Sequence, residues 1–355
     1  MADPGPRFTD KNLYGPSGHP RSADIDQDHL GDCYFVAPLG ALAQEQPARI
    51  ENSIKYDAAK GTFSVTFYKE EGTGFLGLTG TAVKPVTIEV TQKDLEYDIT
   101  RRGGSTMDNT GKDSPAWPAV LETAFAKMHN KNLEKGFDEI GDGGYANQSL
   151  FTLTGIHSEK LSASTIGDMG MDKAMKKLDD ALKADRPVTM STKAENTSWF
   201  GKDAPQDGLV DGHAYTVEKV YKDPTSGEVM VQARNPWGHN STVGEGHDAA
   251  SASITVKLKD IVEGGGLQGF DIGPTPAQKP TLAAAQTGDK HLDSLLASLD
   301  NPAALKESMR NLSASSEGQQ FASAGQNQYR EQQAAAAPVQ EEAPAVARSA
   351  PSMRA

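Results

Sequence analysis

The sequence predicts an α+β protein with a helical first half and a β-rich second half. Three observations carry this. From Trp117 onward Val120, Leu121, Ala124, Phe125 and Met128 recur at helical spacing on one face. Two strand-like runs joined by a turn fill residues 213–235, and the composition turns to Ala, Gln and Pro after about 276. At 355 residues the chain is long enough for about two domains, or one large domain with accessory sequence.

Taken in order, residues 1–22 are rich in Pro and Gly and read as a flexible arm or an extended cover. An apolar helix is expected from Cys33 to about Gln46, interrupted at Pro38 and stopped before Pro47. Residues 62–68 alternate Phe63, Val65 and Phe67, a half-buried strand, and 86–90 reads as another. Pro118 fits the first turn of the Trp117 helix, where a missing N–H costs nothing. A further amphipathic helix covers about 171–184, carrying Ala174, Leu178, Ala181 and Leu182. Short helices are expected within 289–312, with Asn301 as N-cap and Pro302 at the first position. The remaining tail has almost no apolar anchors and reads as disordered. The boundaries are therefore an arm over 1–22, a core over 23–276 dividing near 156, and a tail over 277–355.

Composition excludes several functions. A net charge of −13 argues against nucleic acid and against anionic membrane surfaces. A single cysteine rules out an internal disulfide and a cysteine-based zinc site. The first ten residues lack the apolar stretch of a secretory signal, and no run is long enough to span a bilayer, so a cytoplasmic chain without membrane insertion is expected.

The chemistry concentrates on three residues. Cys33 opens an apolar helix, where the positive end of the helix dipole favours a thiolate. A buried, inert cysteine is the competing reading. Folded symmetrically about residue 224, the 213–235 hairpin sets His213 opposite Asn235 at one sheet end. A thiol nucleophile needs a base, and the base needs a group that fixes its tautomer. The order Cys, His, Asn supplies all three.

Around these residues the sequence resembles the calpain family. Gln27-Asp28-His29-Leu30-Gly31-Asp32-Cys33 is similar to Gln-Gly-x-Leu-Gly-Asp-Cys, and Trp117 to Lys127 is similar to Trp-x-x-Leu-Leu-Glu-Lys-Ala-Tyr-Ala-Lys. Gly143-Gly144 with Thr154-Gly155 follows. Then come Gly212-His213-Ala214-Tyr215 and Arg234-Asn235-Pro236-Trp237-Gly238. The resemblance covers about 24–273 and implies a papain-like cysteine protease fold, a two-lobed catalytic core. It implies Cys33 as nucleophile, His213 as general base and acid, Asn235 as its orienting partner, Gln27 as oxyanion donor and Trp237 as a shield. The implied activity is a cysteine endopeptidase acting on protein substrates through an acyl-enzyme.

The sequence departs from the family in places. Tyr34 follows the cysteine where tryptophan is usual, which alters packing on the primed side of the cleft. Asp28 replaces glycine, and the accessory calcium domains have no counterpart. No cofactor is required, and calcium is the one cation to consider. Asp24 stands where a core calcium ligand falls, Gln148 stands where calpains carry glutamate, and His29 and Phe35 break any EF-hand pattern. A cation would also relieve the carboxylates crowding Cys33.

Gly264 to Gly269 formally fits a dinucleotide fingerprint but reads as a flexible loop, since no helix follows. His19, His29, His239 and His247 lack ligand spacing and read as solvated. The tail and the missing accessory domains point to a bacterial chain, an effector whose tail a secretion system would recognise. Two alternatives stand: another Cys-His acyl-transfer enzyme, transglutaminase- or amidase-like, and a non-enzymatic binding module on the same fold.

Overall fold

A computed structural model describes residues 7–27, 29–73, 80–101, 115–194, 208–240, 250–281, 294, 302–315 and 319. Asp28, His247, Asn301 and the tail beyond 319 lie outside the described residues. The chain forms two compact units. The first contains residues 1–73 and 81–283; the second contains 74–80 and 284–355. Within the second, a helix spans Pro302–Ala314, with Pro302 at its first position as expected.

The first unit is α+β. It opens with α1 (Cys33–Glu45) and α2 (Pro47–Ser53), then β1 (Ile54–Asp57), β2 (Thr62–Thr73) and β3 (Gly80–Val90). Helices α3 (Gln92–Thr100), α4 (Trp117–His129), α5 (Leu133–Gly141) and α6 (Ala146–Thr154) follow. The second half runs β4 (Glu159–Ser162), α7 (Ala163–Met169), α8 (Met171–Lys183), β5 (Val188–Thr192), β6 (Ala214–Lys222) and β7 (Val229–Arg234). It closes with β8 (Ser253–Lys257), α9 (Leu258–Glu263) and β9 (Leu267–Ile272). Strands β1-β2-β3 make one sheet; the other has the order β4-β9-β5-β6-β7-β8.

Two hydrophobic clusters match this division. The first gathers Phe35, Phe67, Trp117, Leu121 and Phe125, with the Phe35 and Phe125 rings stacked at 3.9 Å. Losing such a ring to alanine costs about 3–5 kcal/mol. The second gathers Leu178, Val217, Val231, Phe270 and Ile272 beneath α8.

Helix α1 lies between the halves, and Tyr34 to Ala43 are all buried. That burial explains why Pro38 does not interrupt it: contacts along its whole circumference offset the lost backbone bond. Gly40 lets it approach β6, since a Cβ there would sit 2.5 Å from Thr216 Oγ1. Thr216 Oγ1 donates to Ala37 O at 2.7 Å, and Gln46 Nε2 donates to Pro274 O at 2.8 Å.

Other expectations need correction. Residues 7–22 do not form a free arm, because Phe8 and Leu13 are buried in the first cluster. Ala116 and Trp117 N–H bond to Asn12 and Leu13 carbonyls, which fixes the segment. The glycine-rich stretch is only half a loop: β9 begins at Leu267 and runs between β4 and β5. The hairpin register also differs. Thr216 pairs with Arg234 and Lys222 with Val229, with a bulge between Val217 and Lys219, so His213 and Asn235 are not directly opposed.

Candidate active site

Asn235 follows β7 and His213 precedes β6, and their side chains meet despite the shifted register. His213 Nε2 lies 3.0 Å from Asn235 Oδ1, and the same oxygen accepts the Trp237 N–H at 3.1 Å. Trp237 N–H can only donate, so the amide oxygen must face it. Nε2 must then carry the ring proton and donate to that oxygen. The Nδ1 lone pair is left free to act as a base.

The surrounding chain fixes the imidazole. His213 N donates to Thr192 Oγ1 at 2.9 Å, while Val210 N donates to Tyr215 Oη at 2.8 Å. The Trp237 ring covers the imidazole at 4.9 Å and 47°, and Tyr215 meets it edge-on at 5.0 Å. Asn235 is fully buried, and its backbone N–H bonds to Ala252 O at 2.9 Å. Burial pushes the His213 imidazole down to about 4, against the bond to Asn235. It is neutral at pH 7.

Cys33 stands at the N-terminus of α1, as expected, but its thiol is not a thiolate there. Burial pushes it up to about 11, and the neighbouring Asp32 carboxyl adds to this. The Ala214 and Tyr34 N–H groups pull the other way. Cys33 and His213 line two common cavities. One, of about 490 Å³, extends past Tyr34, Gly144 and Asp271; the other, of about 790 Å³, extends past Gln27, Trp237 and His239. Both side chains therefore face one cleft.

Gln27 reaches the cleft, but its amide is engaged elsewhere. Its Nε2 donates to Leu30 O at 2.7 Å and to Asp32 Oδ1 at 2.9 Å. Its backbone N–H bonds to Pro236 O at 2.6 Å, tying it to the Asn235 segment. Tyr34 lies on the Gly144 side of the cleft, away from Trp237, under a glycine whose missing side chain makes room for its ring.

Sequence reasoning missed a buried acid network behind the nucleophile. Asp32 is fully buried and in hydrogen-bond contact with Glu122 of α4. Two carboxyl groups bond only through a proton, so one of them is neutral. Burial raises Asp32, while Glu122, Gln27 and Arg101 offset part of the effect. Arg101 Nε holds Asp98 at 3.0 Å and stacks over Phe137 at 4.1 Å. A glutamate inside the apolar α4 stripe was the available signal.

Asp24 does not fit a calcium ligand. Its carboxylate accepts from Arg21 N at 2.9 Å, Arg21 Nη2 at 3.0 Å and Trp117 Nε1 at 3.0 Å. A cation would have to displace a guanidinium and an indole. Among the described residues no group of three His, Cys, Asp or Glu is placed to hold a metal. Gln148 lies exposed on α6. Of the histidines expected to be solvated, His19 pairs with Glu51 at 2.7 Å and His239 bonds Trp237 O at 2.8 Å. No helix among the described residues is long and apolar enough to cross a membrane.

Comparison with known proteins gives the family. A model of the calpain family cysteine protease matches residues 8–260. A Calpain-type cysteine protease of Oryza sativa subsp. japonica is 26% identical over 226 residues, covering 63% of this chain and 9% of that protein. A Thiol protease of Porphyromonas gingivalis (strain ATCC BAA-308 / W83) is 26% identical over 238 residues, 62% of this chain and 45% of that protein. Calpain-13 of Rattus norvegicus is 26% identical over 238 residues, 64% of this chain and 31% of that protein. The chain thus spans less than half the length of these relatives.

Proposed function

The chain belongs to the calpain family of cysteine proteases, and from that premise we propose that it cleaves protein substrates through an acyl-enzyme on Cys33. The observation that supports this most is the Asn235 oxygen, which takes both His213 Nε2–H and Trp237 N–H and so leaves Nδ1 as the base. In the first step Sγ–H passes its proton to Nδ1, and the thiolate attacks the substrate carbonyl carbon. The oxyanion is met by the Cys33 backbone N–H and by Gln27 once its amide turns from Asp32. The imidazolium then protonates the departing amine, and the C–N bond breaks. Water, deprotonated by Nδ1, attacks the thioester, releasing the acid product and the thiol.

The neutral thiol and neutral imidazole describe a resting site. Direct Sγ–Nδ1 contact would stabilise the ion pair that burial disfavours. Trp237 keeps water from the His213–Asn235 bond, where a low dielectric strengthens it. The catalytic steps use only side chains and backbone of this chain, and Asp24, engaged by Arg21 and Trp117, takes no part in them. A role as a secreted bacterial effector, recognised through the tail, is the setting we propose for this activity.

Casein digestion by the full chain and by Cys33→Ala, each with calcium and with chelator, tests the reading. Wild type should yield hydrolysed fragments in both conditions, and Cys33→Ala none. Fragments from Cys33→Ala, or no cleavage by wild type in either condition, would overturn it. Cleavage confined to calcium would return Asp24 to the role of ligand. Cross-linked products in place of fragments would favour acyl transfer.

A further inference from the structure

We propose that Asp271 makes the cavity beside Cys33 a subsite for a cationic side chain, lysine or arginine, of the substrate. The inference rests on the proteolytic reading and adds a substrate class to it.

Strand register builds the subsite. On β9, Phe270 and Ile272 face the hydrophobic cluster under α8, together with Leu161, Val188 and Met190. Asp271 and Gly269 therefore face the opposite way. Two rows cross the sheet on that face. Lys160, Asp271 and Thr189 make one; Ser162, Gly269 and Ser191 make the next. The second row is all small, so a passage stays open along the sheet toward Asp271, and Gly269, Ser191, Asp271, His213 and Cys33 all line one cavity.

Four charged residues line that cavity: Asp142, Lys160, Lys193 and Asp271. The first three are exposed, and water and salt screen them. Asp271 is only 6% exposed. Its Oδ1 accepts from Ser158 Oγ at 3.3 Å, and among the described residues no ion pair holds it. Thr189, beside it in the row, is fully buried with a hydroxyl that has no partner. Burial raises the Asp271 carboxyl, with Lys160 and Ser158 offsetting part. A carboxylate desolvated this far and paired with one neutral hydroxyl gains most from a cation, which also arrives with hydrogen-bond donors for it. A neutral side chain would leave that desolvation uncompensated, and an acidic one would add repulsion.

Binding and cleavage are measured separately on the full chain. A set of peptides with one position varied to arginine, lysine, norleucine or glutamate is bound to Cys33→Ala, which reads the subsite without chemistry. At one position arginine and lysine should bind about 10-fold or more tighter than norleucine, with glutamate weakest. Adding Asp271→Asn should bring arginine and norleucine within about 3-fold, its thermal midpoint confirming that it folds. Equal affinity of the four peptides at every position in the Cys33→Ala protein overturns the proposal, whatever the variant does. So does a preference for glutamate, which would assign the cavity to Lys160 and Lys193, or a basic preference that survives Asp271→Asn. The same peptides are then offered to the active chain. A basic preference in binding with no cleavage sinks the proteolytic reading and leaves the subsite; cleavage with no preference in binding sinks the subsite alone.

Discussion

The two sides of the cleft are in different states of readiness. On the His213 side the groups that set the tautomer are bonded: Nε2 to Asn235 Oδ1, that oxygen to Trp237 N–H, Asn235 N–H to Ala252, and the loop to Thr192 and Tyr215, while Asn235 Nδ2 alone of that amide has no partner among the described residues. On the Cys33 side the thiol is raised to about 11, and the Gln27 amide is bonded to Asp32 and Leu30. The base side is held by a hairpin and its flanking residues, close in sequence. The nucleophile side answers to a network reaching Glu122 and Arg101 on distant elements. Preorganisation thus sits with the base, and adjustment sits with the nucleophile and the oxyanion donor.

Substitutions on each side sharpen this contrast. Cys33→Ala should abolish casein cleavage, a loss on the order of 10⁶-fold in kcat if the triad acts as a unit. Asn235→Ala should lower kcat by roughly 10²–10⁴-fold with little change in KM, since it frees the tautomer without touching substrate. Gln27→Ala should lower kcat by about 10²–10³-fold if the amide turns toward the oxyanion. A fall in thermal stability with kcat unchanged would show instead that Gln27 serves only Asp32. Asp32→Asn keeps an acceptor for Gln27, donates to Glu122 and removes a charge beside the thiol. Alkylation of Cys33 by iodoacetamide should then follow a pH profile shifted down by about one unit. An unchanged profile would mean that Asp32 is already neutral throughout.

The smallest effect is on stability. The folded His213 pKa of about 4 lies below its unfolded value of 6.5, so the unfolded chain binds the proton more tightly. Stability should fall as pH drops from 6.5 toward 4, by about 3 kcal/mol in all, and denaturant midpoints should show it. His213→Gln should flatten that part of the curve. Equal slopes would show that other groups dominate there.

Much of this site was legible in the sequence because its parts are local. Trp117 with its helical stripe and Cys33 at a helix start came from periodicity, and so did the strands around His213 and Asn235. The His213–Asn235 contact was expected from a symmetric turn, and it formed through a different register. The turn between Lys222 and Val229 is centred later than residue 224, and the bulge after Val217 takes back one residue of that offset. Pro38 misled because propensity cannot see a helix buried on every side. The 7–22 segment misled because Pro and Gly describe its turns and conceal the anchors Phe8 and Leu13. The thiol misled most: the helix dipole and the adjacent Asp32 charge are visible in sequence, whereas the desolvation that dominates depends on long-range packing. Asp271 carried a faint signal, an acid inside the apolar run of β9.

The central claim, that His213 activates Cys33, is tested most directly by covalent labelling. Intact protein and its His213→Ala variant are treated with a peptidyl acyloxymethyl ketone, and the modified residue and rate are read by mass spectrometry. The account predicts a single adduct on Cys33 in the wild type, forming about 10²-fold or more faster than in His213→Ala. Equal labelling rates in the two proteins would contradict it.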